Sequence, residues 1–180
     1  MTRSLAILVL PMVVAIAISV VVVPRTHETV QGNTWHIYTV DTAGAVGMVT
    51  SLALDSNGYP HISYAGASAH SLSYARWTGT NWSIEMADAN ITGSTSIALD
   101  SKDQPHIGFY RGANLDAGYA EWIGGKWSVE TVDFTGGAFE GISLALDSKD
   151  NPHMSYTEVI NRSQRYAEKI GRIWSIQVLV

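Results

Sequence analysis

The chain has 180 residues, a length suited to one domain, and no cysteine, which excludes both a disulfide framework and a thiolate metal site. Acidic residues outnumber basic ones 16 to 11, and no basic cluster is longer than two residues, so the electrostatic footprint of a nucleic-acid-binding protein is missing. Charged residues make up only 15% and glycine is abundant, a composition that suits an all-β chain with many tight turns.

The N-terminus is a different kind of sequence. Leu5 to Val23 is an uncharged apolar run flanked by Arg3 and Arg25. At about 1.5 Å per residue, a helix of this length spans roughly 28 Å, close to the hydrocarbon core of a bilayer. Residues 1–24 therefore read as an N-terminal hydrophobic helix, either a retained signal-anchor or a signal peptide. Ala15-Ile16-Ala17 offers a small-x-small cleavage pattern, but Ile18 to Val23 after it remain strongly apolar. Pro11 kinks such a helix without forbidding it in a membrane. Both readings place the protein at the cell surface, membrane-anchored through residues 5–23 or secreted; a buried core helix is the third alternative, and all three leave the segment outside the repeats. The polar residues 25–34 read as a linker.

From residue 35 onward the chain repeats. Trp35, Trp82, Trp127 and Trp174 are spaced 47, 45 and 47 apart. Leu52-Ala53-Leu54-Asp55-Ser56 returns as Ile97-Ala98-Leu99-Asp100-Ser101 and as Leu144-Ala145-Leu146-Asp147-Ser148. Pro60-His61 returns as Pro105-His106 and Pro152-His153, and Tyr74-Ala75 as Tyr119-Ala120 and Tyr166-Ala167. Several independent anchors hold one register. The units run over about 42–88, 89–133 and 134–180.

Each unit divides into four short apolar segments separated by turn residues. In the first these lie near 50–55, 61–65, 72–77 and 82–88. The last alternates Trp82, Ile84 and Met86 with Ser83 and Glu85, the period-2 pattern of a half-buried strand. In the first turn of each unit, Gly58, Asp103 and Asp150 share a position where positive φ is tolerated. Asp55, Asp100 and Asp147 are placed to accept hydrogen bonds from the turn amides. The proline that follows suits a strand start.

Four strands per forty-five residues, repeated, predicts three four-stranded antiparallel blades of a β-propeller. Residues 35–41 add one further outer-strand equivalent. Propellers close with four to eight blades. Three blades therefore imply a homo-oligomer that completes the ring, a longer product, or an open arc.

The phrase around Leu52-Ala53-Leu54-Asp55-Ser56 and Pro60-His61-Ile62-Ser63-Tyr64, followed by Tyr74-Ala75 and Trp82-Ser83-Ile84, resembles a repeat of archaeal and bacterial surface proteins. More loosely, it is similar to the blades of fucose-binding lectins and sialidases. The resemblance covers residues 35–180 and implies an exported propeller. The sialidase Asp-box differs, because Asp55 and Gly58 are three apart and His61 stands where that box has an aromatic residue.

The candidate residues follow the repeat. His61, His106 and His153 recur once per unit; as imidazoles they suit an axial metal, but a residue that recurs with the fold is expected to serve the fold, here by bonding within its blade. The turn residues Asp55, Asp100 and Asp147 fall short of a calcium cage and are read as turn chemistry. No metal or other cofactor is expected. Trp77 and Trp122 are the better candidates for stacking on a sugar, because Lys169 at their position in the third unit marks a partly exposed site. Trp82 and Trp127 are assigned to packing between blades. Asn81, Asn90 and Asn161 begin glycosylation sequons. No catalytic constellation is found, since Glu85 and Glu130 fall on equivalent positions of different blades. The expected function is a non-enzymatic module that binds a ligand, with carbohydrate the first class to test. The alternatives are a structural or protein-interaction propeller of the cell envelope, whose partner is an envelope protein, and a fragment of a sialidase-like glycosidase.

Overall fold

The computed structural model describes residues 28–29, 36–42, 47–66, 70–135, 141–158, 160 and 162–179. The N-terminal helix expected over residues 5–23, the cleavage pattern at Ala15-Ile16-Ala17 and the sequon at Asn161 lie outside these residues. Among the described residues no helix is long and apolar enough to cross a membrane.

The chain divides into two compact units, one ending at Tyr38 and the other running from Thr39 to Val180. In the first, β1 (Glu28–Thr29) pairs antiparallel with β2 (His36–Ile37). Thus Glu28 and Thr29, in the stretch read as a linker, have a strand partner inside the expected outer strand 35–41.

The second unit is all-β. The first sheet contains β3 (Thr50–Leu54), β4 (Pro60–Gly66), β5 (Ser71–Trp77) and β6 (Trp82–Asp88). The second contains β7 (Ile91–Leu99), β8 (Pro105–Arg111), β9 (Asp116–Ile123) and β10 (Lys126–Asp133). The third contains β11 (Ile142–Leu146), β12 (Pro152–Glu158), β13 (Ser163–Ile170) and β14 (Ile173–Leu179). Each sheet is an antiparallel meander in chain order, and the three share one register: Leu52↔Ile62, Ile97↔Ile107 and Leu144↔Met154.

Local chemistry sets the first turn of each sheet. Asp55 Oδ1 accepts the amides of Asn57 and Tyr59 at 2.9 and 2.7 Å, and Asp100 and Asp147 do the same one and two units later. The third turn residue has φ of 76° at Gly58, 60° at Asp103 and 64° at Asp150. Glycine is free there, and aspartate is among the side chains that tolerate it best.

Two cores form where sheets meet. In the first, Leu72, Tyr74 and Ala87 of the first sheet meet Ile91, Ile97, Ile107, Phe109 and Ala120 of the second. In the other, Tyr110, Ala117, Tyr119 and Val132 meet Ile142, Leu144, Met154, Tyr156 and Ala167 of the third. Full burial of one such aliphatic or aromatic side chain contributes about 1.5–3 kcal/mol.

Polar bonds repeat at both junctions and align the sheets. Ser51 Oγ accepts the amide of Ile97 at 3.1 Å, and Ser96 Oγ accepts that of Leu144 at 3.0 Å. Ser56 donates its amide and hydroxyl to Asp103 at 2.9 and 2.6 Å, and Ser101 donates the same pair to Asp150 at 2.9 and 2.6 Å. Those two bonds are why aspartate occupies the strained turn position in the second and third units.

One expected face is reversed. Ile84 and Met86, read as the buried side of β6, are exposed, while Ala87 is buried at the first junction. Their counterparts on β10 are half-buried, and Val129 packs against the core of the first junction. The alternation was read correctly, but the apolar face of β6 points away from the second sheet.

Candidate functional site

The three histidines are held inside their sheets. His61 Nδ1 bonds Tyr74 OH at 2.6 Å, His153 Nδ1 bonds Tyr166 OH at 2.6 Å, and His106 bonds Tyr119 in the same way. Their Nε2 atoms lie 3.7–3.8 Å from the turn carboxylates of Asp55, Asp100 and Asp147. Burial lowers the pKa of His61 and of His106 despite those carboxylates, and burial raises that of Tyr74 and Tyr119. Each histidine links two strands of one sheet to its turn, and the three lie in separate sheets. Among the described residues no group of three or more metal-ligating side chains comes together.

The two junctions differ at one place. At the first, a small cleft of about 70 Å³ opens between the sheets. His61, Tyr74, Arg76 and Glu85 line it from the first sheet, and Asp103 and Trp122 from the second. Strand pairing explains the convergence. Tyr74 lies opposite Glu85 on β6 and Arg76 opposite His61 on β4, so all four share the face turned to the second sheet. Trp122 lies opposite Trp127 on β10, and their rings meet edge-on at 5.4 Å. Trp127 meets Tyr74 edge-on at 5.2 Å, so an aromatic wall backs the cleft.

Arg76 and Glu85 have no ion-pair or hydrogen-bond partner among the described residues, and the indole N–H of Trp127 is buried without one. Asp103 is engaged by Ser56. The cleft therefore presents a fork of guanidinium donors, a carboxylate that only accepts, and an indole face. A polyol offers the matching chemistry: neighbouring hydroxyls that both donate and accept, and C–H edges that pack on an aromatic ring.

The second junction has the same aromatic frame, with Trp174 edge-on to Tyr119 at 5.2 Å. Its polar residues differ. Glu121 replaces Arg76, Glu130 replaces Glu85 and Lys169 replaces Trp122. The Lys169 ammonium lies 2.5 Å from Glu130 and 3.3 Å from Glu121.

The two expected sugar-stacking residues thus part company. Trp122 lines the cleft, whereas Trp77 packs edge-on against Trp82 within the first sheet at 5.6 Å. Trp127, assigned to packing, does pack between sheets. Asn81 is exposed in the turn before β6, and Asn90 is exposed just before β7. Sequence reasoning did not single out Arg76, and it set Glu85 and Glu130 in different sites, as the two junctions do. The available signal was divergence within the repeat: Arg76, Glu121 and Glu168 share one position, and Glu85, Glu130 and Gln177 another. A larger, apolar groove of about 360 Å³, lined by Val40, Thr50, Leu52, Ile62 and Tyr64, lies on the first sheet's opposite face. Asp41 and Ser51 also line it, and Asp41 accepts the Tyr64 hydroxyl at 2.7 Å.

No family model matches the chain, and no curated protein matches it in sequence. Solved structures match it in fold. A fucose lectin from Kordia zhangzhouensis in complex with methyl-fucoside superposes with a TM-score of 0.53 at 20% identity, over 71% of this chain and 96% of the lectin. A mutant of AofleA from Arthrobotrys oligospora, with three arginines changed to alanine, superposes with a TM-score of 0.57 at 11% identity. That match takes in 82% of this chain and 48% of AofleA, so the chain spans about half the length of that neighbour. The likeness is one of fold, and it identifies the three-sheet unit as β-propeller-like.

Proposed function

We propose that this chain is a carbohydrate-binding β-propeller-like module that takes a sugar in the cleft between its first and second sheets. The observation that carries the reading is the convergence of unpaired Arg76 and Glu85 with Trp122 on one aromatic-backed cleft. The fold neighbour solved with methyl-fucoside supports it and makes fucose the first sugar to test. Arg76 donates to vicinal hydroxyls, Glu85 accepts from them, and Trp122 packs on the apolar sugar edge.

Binding is favoured over cleavage. A glycosidase of the usual kind needs two carboxyl groups flanking one bond. Here Glu85 is the available one, because Asp103 is bonded to two donors of Ser56. The proposed setting is the cell surface, reached through the apolar segment at residues 5–23.

The test is a glycan array followed by calorimetric titration with methyl-fucoside. The reading expects binding by the wild type and a loss of about 10–100-fold for Trp122→Ala and Arg76→Ala, the effect of ~1.4–2.7 kcal/mol. A wild type that binds no sugar on the array, or variants that bind as well as wild type, would overturn it.

A further inference from the structure

The second inter-sheet cleft is built for a cation and already holds one from its own chain. Lys169 projects from β13 of the third sheet across the junction to Glu121 on β9 and Glu130 on β10. Its ammonium lies 5.1 Å from the Tyr119 ring centre and 5.9 Å from that of Trp174. Glu130 is fixed in turn by the indole N–H of Trp174 at 2.9 Å. The Lys169 side chain is 13% exposed, whereas Lys102, Lys126 and Lys149 are exposed. Two carboxylates and two aromatic rings around one ammonium make an anionic aromatic cage.

We propose that this cage is a site for a primary alkylammonium, that Lys169 is its resident ligand, and that the resident closes the second cleft. The first cleft stays open because the residue at the same position is Trp122, which has no charge to satisfy Glu85 or to reach across and bond it. Of the two inter-sheet sites described above, one is therefore available to an external ligand. That statement of valency rests on the sugar reading above; the ammonium site does not. It matters for binding, because avidity grows with the number of sites that engage together.

A vacated second cleft does not become a copy of the first. Glu121 stands where Arg76 stands, so the empty cage has two acceptors and no guanidinium. Its matching ligand is an amine.

Two measurements test the proposal on the full chain. The first is competitive acetylation of the wild type, read by mass spectrometry at each lysine. Lys169 is expected to react about ten-fold more slowly than Lys102, Lys126 and Lys149, because its amine must first leave the cage. Equal rates would overturn the proposal, and this readout needs no variant to fold.

The second is chemical rescue of Lys169→Ala. Ethylammonium chloride is expected to raise its urea midpoint, whereas sodium chloride at equal ionic strength does not. The variant Lys169→Met, whose stem fills the space without a charge, is expected to show no such response. Equal effects of the two salts on Lys169→Ala would overturn the ammonium site. A wild type that binds no sugar while rescue succeeds would overturn the sugar reading and leave the cage standing. Two sugars bound per wild-type chain, at both clefts, would overturn the closure.

Discussion

Leu52 and Leu144 occupy the same place in the repeat, the third residue of β3 and of β11, and their alanine variants are expected to behave differently. Leu144 is 7% exposed in the second junction, and its counterpart Ile97 is 6% exposed in the first. Leu52 is 61% exposed. Leucine to alanine removes three carbon atoms, about 2.4 kcal/mol of transfer free energy when fully buried. At Leu144 nearly all of that is lost, and a cavity is left among Ile142, Met154 and Tyr156, so the expected cost is about 2.5–4 kcal/mol. At Leu52 about two fifths is lost and no cavity forms, so the expected cost is below about 1 kcal/mol. Urea unfolding of the full chain measures both, with m compared to confirm that each variant unfolds from a similar state. Equal losses at the two positions would refute the reasoning. They would mean that the Leu52 face is covered in the folded protein, as ring closure by another copy requires.

Three further outcomes follow from named groups. Burial holds His61 and His106 below the ordinary histidine value of 6.5, so the unfolded chain takes up protons first as pH falls. Stability then rises with pH and is lost as pH drops below about 6.5; replacing both histidines with glutamine flattens the change in urea midpoint between about pH 7.5 and about pH 5. The carboxylates act in a lower window. Bonds from Asn151 hold Asp147 at about 2, and Asp133 is also lowered, since its bonds to Tyr156 and Thr135 outweigh burial. Their contribution is present above about pH 3.8 and declines only as pH falls further. Tyr156 donates to buried Asp133 at 2.8 Å, and Arg165 and Thr135 bond the same carboxylate. Tyr156→Phe is expected to cost about 1–2 kcal/mol, measured by urea unfolding. A cycle with Arg165→Ala is expected to show coupling; strict additivity would argue against a shared site. The second sheet shows the alternative solution, with Phe109 at the tyrosine position and Arg111 ion-paired with Asp88 at 2.8 Å.

Much of the architecture was legible because its signals are local and repeated. Strand period, turn aspartates and prolines depend on residues within a few positions, and three copies in register reinforce one another. The strands near 50–55, 61–65, 72–77 and 82–88 are observed at 50–54, 60–66, 71–77 and 82–88. The bonds of the histidines are equally local, since each reaches a tyrosine thirteen residues away in the same sheet.

The cleft was not legible in the same way. It forms between sheets, where Trp122 meets Arg76 and Glu85 of the previous repeat. Reading each repeat as a copy of the others hides such a site, because its content depends on where the copies differ. Trp77 and Trp122 were equal by position, and only Trp122 has another sheet's Arg76 and Glu85 before it.

By itself, then, the sequence determined the repeat, its four strands, its turns and the residues that hold each sheet together, since these follow from alternation and short-range hydrogen bonding. Tertiary structure decided which face of each sheet is covered. Leu52 and Leu144 are the same residue in the same motif, and one is exposed while the other is core. It also decided that Trp122 borders an open cleft while Lys169, at the same position, fills the next one, because a side chain's role there is set by the charges that the neighbouring sheet brings to it.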